Sequence, residues 1–243
     1  MLLVLAAYLI GSIPFGYLTG RLVGGIDIRQ VGSGNIGATN VGRTLGWHWF
    51  FVVLLLDFAK GCGPTLAAAR WAPELTESMP WWQQPTQITV AAGVAAIVGH
   101  LWPCYLRFRG GKGVATGLGV IVALAPLVSW WPLAVATAAF ALCLAVFRYI
   151  SLASMVSSIA YGITHLVVAP QPWSAEHASL SFFSLLIPAL VVWRHRSNLG
   201  RLLRGEEPRL GDRKKQAGEG QVADPPETAA PPESAAGSQR SPS

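Results

Sequence analysis

Seven apolar stretches, separated by short polar segments, constrain the fold of this chain more than any other feature. Each is close to the roughly 20 residues that an α-helix needs to cross a hydrocarbon core about 30 Å thick. They lie at residues 2–22, 48–70, 88–105, 114–130, 131–148, 151–169 and 179–194. Only 12% of the residues are charged, against about 25% in a soluble domain. We therefore predict an all-α integral membrane protein with seven transmembrane helices, or six if one kinked helix runs through Pro132.

The distribution of basic residues predicts how these helices are oriented. Residues 1–204 carry 13 Lys/Arg and 5 Asp/Glu, and 11 of these basic residues fall on one side of the predicted helices. Cytoplasmic loops carry such an excess. The other side holds the N-terminus and the loop 71–87, with Glu74 and Glu77. We predict that the N-terminus lies outside and the C-terminus in the cytoplasm.

The C-terminal end differs in composition from the rest of the chain. Residues 211–243 are rich in Pro, Ala, Glu, Ser and Gly, and they have no apolar face to bury. Such segments cannot offset the entropy of folding. We predict a transmembrane domain at 1–210 and a disordered tail at 211–243.

Two glycine-rich segments fall on the predicted cytoplasmic side. The first, GSGNIGATNVGR at 32–43, mixes glycines with hydroxyl and amide side chains. Glycine permits turns whose N–H groups bind phosphate, although an ordinary surface loop has a similar composition. The second, LRFRGGKGVATGLG at 106–119, surrounds Lys112 with three glycines, which a basic topology signal does not require. These cytoplasmic glycine-rich loops are predicted to form a phosphate site.

Other polar residues have an everyday structural explanation beside a functional one. His195 and Asn198 leave the last apolar stretch together, and Arg201 and Arg204 follow on an amphipathic segment typical of contact with anionic lipid. Asp57 and Lys60 stand three residues apart, which predicts a buried ion pair on one helix face. His100 is predicted to support the second glycine loop. Ser151 and Ser154 are helix caps or face the site.

Together these segments resemble the bacterial acyl-phosphate-dependent glycerol-3-phosphate acyltransferase family, PlsY. The resemblance covers nearly all of residues 1–210. It rests on GSIPFGYL (11–18), GSGNIGATNVGRTLG (32–46), LLDFAKG (55–61), GHLWPCYLRFRGGKGVAT (99–116) and HRSNLGRLLRGEEP (195–208). Small departures at Gly42 and Leu199 touch no group with an expected chemical role.

The resemblance implies a reaction and a set of site residues. A fatty acyl group moves from acyl-phosphate to the 1-hydroxyl of sn-glycerol 3-phosphate, giving lysophosphatidic acid and inorganic phosphate. This is the first acylation of phospholipid biosynthesis, at the bacterial plasma (inner) membrane. The implied catalytic residues are Ser33, Arg43, Lys112 and His195. The implied substrate-binding residues are Gly32, Gly34, Asn35, Thr39, Asn40, Gly110, Gly111, Gly113, Thr116, Ser151, Ser154 and Asn198.

The chemistry of the residues suits this reaction. Lys112 and Arg43 are expected to stabilise the leaving phosphate and Ser33 to orient it. No nucleophile with a base is visible, so we predict no acyl-enzyme. The hydroxyl proton goes either to His195 or to a substrate phosphate. We predict no metal, no cofactor and no nucleic acid, with membrane lipid as a partner. The resemblance also implies a functional link to the soluble acyl-phosphate-producing enzyme. The alternatives are a transporter of a phosphorylated or anionic solute, or a lipid-binding scaffold.

Overall fold

The structure is a computed structural model that describes residues 1–76 and 84–212. These residues form helices and no strand, which confirms the all-α class for this part of the chain. The helices α1 to α10 span Leu2–Gly11, Phe15–Gly24, Ala38–Leu45, Trp47–Thr76, Pro85–Leu101, Val114–Val128, Trp131–Phe147, Ile150–Val168, Ala178–Arg194 and Arg196–Leu203. Short 3₁₀ turns lie at Ile28–Gln30 and Cys104–Leu106. Glu77 and nearly all of the predicted tail lie outside the described residues.

The span predicted at 2–22 is present but is not one continuous helix, because the structure breaks it into α1 and α2. Pro14 stands at the break, has no N–H to donate and disfavours a helical conformation in Ile13 before it. Carbonyl groups released at such a break need other partners. The carbonyl oxygen of Ile13 accepts a hydrogen bond from Lys60 Nζ on α4 at 2.7 Å.

Two further helix boundaries bear on the predictions: the structure adds a helix within residues 24–47 and separates the helices on either side of residue 130. The glycine-rich segment at 24–47 is not a loop throughout, because α3 occupies Ala38–Leu45. Gly37 precedes this helix in an extended conformation, and the apolar side of α3 packs on α4. The stretches at 114–130 and 131–148 form separate helices, α6 and α7, so the single kinked helix is wrong.

Several helices are long and apolar enough to cross a membrane. Within the described residues, four stretches meet this requirement: Leu2–Gly24 across its break, Trp47–Glu74, Pro85–Leu106 and Ile150–Val168. Helices α9 and α10, bent by 57°, make a fifth if they count as one span. Val114–Leu127 and Trp131–Phe147 are shorter apolar helices. The count of seven spans therefore stays a prediction.

The helices pack around an apolar core and expose apolar side chains outward. α1 packs on α5, α4 packs on both α5 and α6, and α8 packs on α7 and α9. Leu101, Leu124 and Phe183 are completely or almost completely buried in the core. By contrast, Leu142 is 68% exposed and Val167 77% exposed. Apolar groups on both sides of a helix are what a bundle surrounded by lipid requires.

The predicted ion pair inside the bundle is confirmed. Lys60 Nζ lies 2.8 Å from Asp57 Oδ1 on α4. Both side chains are almost completely buried. Charges in such surroundings are costly unless they are paired, so the pair satisfies the requirement of its position.

Candidate active site

The first glycine-rich segment is shaped by one buried amide. Asn40, at the start of α3, is 1% exposed. Its Oδ1 accepts a hydrogen bond from the Ser33 N–H at 2.9 Å, and its Nδ2 donates to the carbonyl oxygens of Ile28 and Val31, each at 3.0 Å. All these bonds go to the backbone of residues 28–33, so Asn40 holds the segment in a tight curve with Ser33 at its outer side.

Gly32 is the residue that this curve requires. Its φ is +59°, in the left-handed region that glycine adopts without strain. A Cβ at this position would lie 2.3 Å from Asn40 Oδ1. Beyond the curve, Asn35 Oδ1 accepts from the Gly37 N–H at 2.8 Å, which sets the start of α3. Gly32, Asn35 and Asn40 therefore determine the backbone conformation of this segment.

The second glycine-rich segment is held from two sides. The Gly111 N–H donates to the carbonyl oxygen of His100 at 3.1 Å, which confirms the predicted support by His100. From the other side, the Arg194 guanidinium donates to the Gly110 carbonyl oxygen at 2.8 Å and to that of Gly111 at 2.6 and 2.9 Å. Arg194, which sequence reasoning assigned only to topology, thus fixes the backbone that precedes Lys112.

Lys112 is the cation at the centre of the site. Its Nζ donates a hydrogen bond to Asn198 Oδ1. Burial lowers the pKa of Lys112 to about 8, because removing water disfavours the charged ammonium. The carboxylate of Glu207 opposes this effect, whereas Arg201, Arg43 and Arg194 add to it. The ammonium lies in a cluster of positive charge, which an anionic group would relieve.

Glu207 organises the far side of the site, and sequence reasoning missed it. Its Oε1 accepts hydrogen bonds from Ser151 Oγ and Asn198 Nδ2, both at 2.6 Å, and its Oε2 accepts from Arg201 Nε at 2.8 Å. Burial alone would raise the pKa of this carboxyl, but these hydrogen bonds outweigh it and hold the pKa below its usual range. Glu207 therefore fixes Asn198, which in turn holds Lys112.

His195 lies at the junction of α9 and α10 and is 2% exposed. Its Nδ1 is 2.8 Å from the carbonyl oxygen of Val191. Because a carbonyl only accepts, Nδ1 must carry the hydrogen, which leaves Nε2 as an acceptor in the neutral ring. Burial and the charge of Lys112 lower the pKa of His195 to about 4. The ring is therefore neutral at physiological pH.

A pocket of about 220 Å³ lies between the two glycine-rich segments and the segment 194–201, which we call together the three polar segments. It is lined by Ser33, Gly34, Asn35, Lys112, Arg194, Arg196, Ser197, Asn198 and Arg201. Every one of these residues is polar or glycine. Five of them are among the site residues that the resemblance implies, and the other four, Arg194, Arg196, Ser197 and Arg201, lie at the end of α9 and on α10. A small polar pocket with several cations fits a phosphorylated solute of low molecular weight.

A wider pocket of about 860 Å³ adjoins the first one and shares Gly34 and Arg194 with it. Its lining combines arginines with apolar and aromatic side chains, among them Arg107, Ile36 and Phe108. One arginine of this lining, Arg29, makes two hydrogen bonds to Asp27, at 2.6 and 2.9 Å. This pocket is amphipathic, in contrast to the polar pocket.

The remaining residues named from the sequence have other places. Arg43 is exposed on α3, within electrostatic reach of Lys112. Thr39 lies half-buried on the same helix. Thr116 is fully buried, with its backbone against Gly61 on α4. Ser154 donates to the Ile150 carbonyl oxygen within α8. Thr116 and Ser154 therefore pack the bundle and do not line either pocket.

Comparison with known proteins gives a consistent result. Residues 1–205 match the family model for glycerol-3-phosphate acyltransferase. The glycerol-3-phosphate acyltransferase of Prochlorococcus marinus (strain NATL1A) is 42% identical over 214 residues, which is 87% of this chain and 98% of that protein. The enzyme of the same name from Anaeromyxobacter sp. (strain Fw109-5) is 45% identical over 210 residues, 86% of this chain and 96% of that protein.

A solved structure is similar over nearly the same region. It is the crystal structure of PlsY (YgiH), an integral membrane glycerol 3-phosphate acyltransferase, in its glycerol 3-phosphate form. The TM-score is 0.70 and the identity 38%, over 86% of this chain and 94% of that one. The lysophosphatidic acid form of the same protein gives a TM-score of 0.67 with the same identity and coverage.

Proposed function

The chain belongs to the glycerol-3-phosphate acyltransferase family, and we propose that it transfers a fatty acyl group from an acyl-phosphate to the 1-hydroxyl of sn-glycerol 3-phosphate. The products are lysophosphatidic acid and inorganic phosphate. Family membership makes the chain a membrane-bound acyltransferase, which answers the transporter and scaffold alternatives. The observation that carries the finer proposal is the placing of Lys112 among three polar segments in one cationic pocket.

The two adjoining pockets suit the two substrates. The polar pocket is large enough for glycerol 3-phosphate, and its Ser33, Asn35 and Asn198 side chains match the hydroxyl and phosphate groups of that molecule. The wider pocket offers arginines for a phosphate and apolar side chains for the start of an acyl chain. Since Gly34 and Arg194 border both pockets, the proposed reacting atoms meet beside these two residues.

The reaction needs charge stabilisation more than it needs a nucleophile. The bond between the carbonyl carbon and the phosphate oxygen breaks, and a new ester bond forms to the attacking hydroxyl oxygen. Negative charge develops on the carbonyl oxygen and on the departing phosphate. Lys112, with Arg43 nearby, is proposed to stabilise this charge, and cations held in advance by a protein do so without reorganisation. The exposed Ser33 hydroxyl, which lines the polar pocket, is proposed to orient the phosphate.

The proton of the hydroxyl group has two candidate acceptors. His195 is neutral, with Nε2 as its acceptor, but a pKa of about 4 makes it a weak base. A phosphate dianion, whose conjugate acid has a pKa of about 6, is the stronger acceptor. We therefore place the proton on the leaving phosphate and give His195 the role of accepting a hydrogen bond from the hydroxyl. Near-normal turnover in both His195→Ala and His195→Gln would contradict this role.

The cellular setting follows from the same proposal. The protein is a multi-pass membrane protein of the inner membrane, and its PlsY neighbour is an integral membrane protein. We propose seven spans, with the N-terminus outside and both glycine-rich segments at the cytoplasmic face, where the positive residues concentrate. The donor then comes from a soluble acyl-phosphate-producing enzyme. The product enters phospholipid biosynthesis at its first acylation.

Donor choice tests the finer part of this proposal. Purified protein in detergent would receive radiolabelled glycerol 3-phosphate with either palmitoyl-phosphate or palmitoyl-coenzyme A. We expect labelled lysophosphatidic acid, acylated at the 1-hydroxyl, from palmitoyl-phosphate alone. Product from the coenzyme A ester alone would contradict the proposed donor and leave the family assignment intact.

A further inference from the structure

Three titratable side chains lie together inside the bundle and take no part in the chemistry described above. Asp57 and Lys60 on α4 and His100 on α5 are all at most 4% exposed. Replacing a buried ion pair with apolar side chains of similar size is often neutral or stabilising. The break between α1 and α2 explains Lys60, whereas the contacts of Asp57 and His100 lead toward the site.

The first part of the cluster joins the broken first span to α5. Lys60 Nζ donates to the carbonyl oxygen of Ile13 and also lies 2.8 Å from Asp57 Oδ1. The same Asp57 oxygen is 3.7 Å from His100 Nδ1, which is too far for a hydrogen bond but makes these two atoms neighbours. Asp57 therefore stands between a fixed cation and the Nδ1 edge of the imidazole.

The other edge of the imidazole meets the second glycine-rich segment. A Cβ on Gly111 would lie 2.2 Å from His100 Nε2, so the ring packs directly against this glycine. The backbone carbonyl of His100 accepts from the Gly111 N–H at 3.1 Å. Arg194 grips the carbonyl oxygens of Gly110 and Gly111 from the opposite side. The Gly110–Gly111 backbone is thus held by contacts from α5 on one side and from α9 on the other. Lys112 is the next residue, so these contacts fix where its side chain begins.

We propose that Asp57 and His100 are positioning residues for Lys112. Asp57, fixed by Lys60, orients the His100 ring against Gly111, and this ring sets the backbone from which the Lys112 side chain enters the polar pocket. The proposal concerns a site whose reaction is itself proposed above, so its test includes a measurement that needs no substrate.

That measurement is the titration of Lys112 by chemical labelling. Purified protein is treated briefly with an amine-reactive reagent between pH 6 and 11, and peptide mass mapping separates Lys112 from the other three lysines. In the native chain we expect labelling of Lys112 with a midpoint near pH 8, set by burial. In His100→Ala the segment relaxes toward water, and the midpoint rises toward the ordinary value of about 10.4. Asp57→Asn should shift it in the same direction by less.

His165 supplies the matched control. It is a second almost completely buried histidine, on α8, and its ring contacts Ser181 rather than either glycine segment. His165→Ala removes a similar volume from the bundle and should lower thermal stability while leaving the Lys112 midpoint near pH 8. A midpoint that stays near pH 8 in His100→Ala, or that moves equally in both histidine variants, would overturn the proposal. If the Lys112 midpoint moves in His100→Ala but not in Asp57→Asn, His100 is a positioning residue and Asp57 is not.

A double-mutant cycle tests the contact with Gly111 through activity and so complements the labelling. Gly111→Ala places a methyl group against the His100 ring and should lower kcat/KM at least about tenfold, since contacting residues couple strongly. In the His100→Ala background the ring is absent, so the same change should cost less than about threefold. Equal costs in both backgrounds would refute the contact. If the native chain transfers no acyl group while the labelling midpoints move as expected, the proposed function fails and the positioning role stands.

Discussion

The charge state of Lys112 predicts an alkaline decline in activity. With a pKa of about 8 in the free protein, Lys112 is about 90% protonated at pH 7 and about 10% protonated at pH 9. Only the protonated form stabilises the leaving phosphate. We therefore expect kcat/KM, which reports the ionisations of the free enzyme, to fall about tenfold between pH 7 and pH 9. Bound phosphates favour the ammonium, so the decline in kcat alone should begin at higher pH.

The assay is phosphate release from palmitoyl-phosphate at limiting concentrations of both substrates, from pH 6.5 to 9.5. Over this range the substrate phosphates are already dianions, because their second pKa is about 6. His195, with its pKa of about 4, stays neutral. Lys112→Arg is the matched variant, since a guanidinium keeps its charge throughout. It should lower activity and abolish the decline. A flat profile in the native chain, or the same decline in Lys112→Arg, would refute the reasoning.

Three further predictions concern Glu207, two glycines and the C-terminal tail. Glu207→Ala leaves two buried donors, on Ser151 and Asn198, and the partly buried Arg201 guanidinium without their acceptor. It should cost about 3 kcal/mol, measured by thermal unfolding in detergent, whereas Glu206→Ala, at the exposed neighbour, is the control and should change little. Gly32→Ala combines a positive φ with a steric clash, whereas Gly25→Ala has a similar φ and open space around the new methyl group. Activity should therefore fall more in Gly32→Ala than in Gly25→Ala. Equal losses would show that backbone strain alone matters. Deletion of residues 211–243 should leave phosphate release unchanged, and a large loss would contradict the predicted domain boundary.

Much of the helical architecture could be predicted because hydropathy acts over whole turns of helix. The prediction of two separate helices, α6 and α7, is confirmed over the prediction of one kinked helix, since proline and tryptophan mark the ends of apolar helices. The break at Pro14 was missed, because averaging over an apolar stretch hides a single residue. What makes that break tolerable is Lys60, 47 positions away, and no local pattern shows such a partner.

The site was predictable where chemistry and position coincide, and less so where a residue acts through its neighbours. Lys112 and Asn198 stand in motifs, and the structure places them in contact. Asn40 stands in a motif too, but its polar atoms are taken up by the loop backbone, which only the fold reveals. Glu207 follows a charged helix end and looks like an ordinary surface residue in sequence. One of the hydrogen bonds that its carboxylate accepts comes from Ser151, 56 positions earlier.

The most direct test of the account is phosphate release by the purified protein with palmitoyl-phosphate and glycerol 3-phosphate together and each alone. Lys112→Ala probes the site, and Arg70→Ala, an exposed arginine paired with Glu74 on α4, is the control for loss of a positive charge. We predict release that requires both substrates, is lost in Lys112→Ala and persists in Arg70→Ala. Release that needs only one substrate, or that survives in Lys112→Ala, would contradict acyl transfer at this pocket.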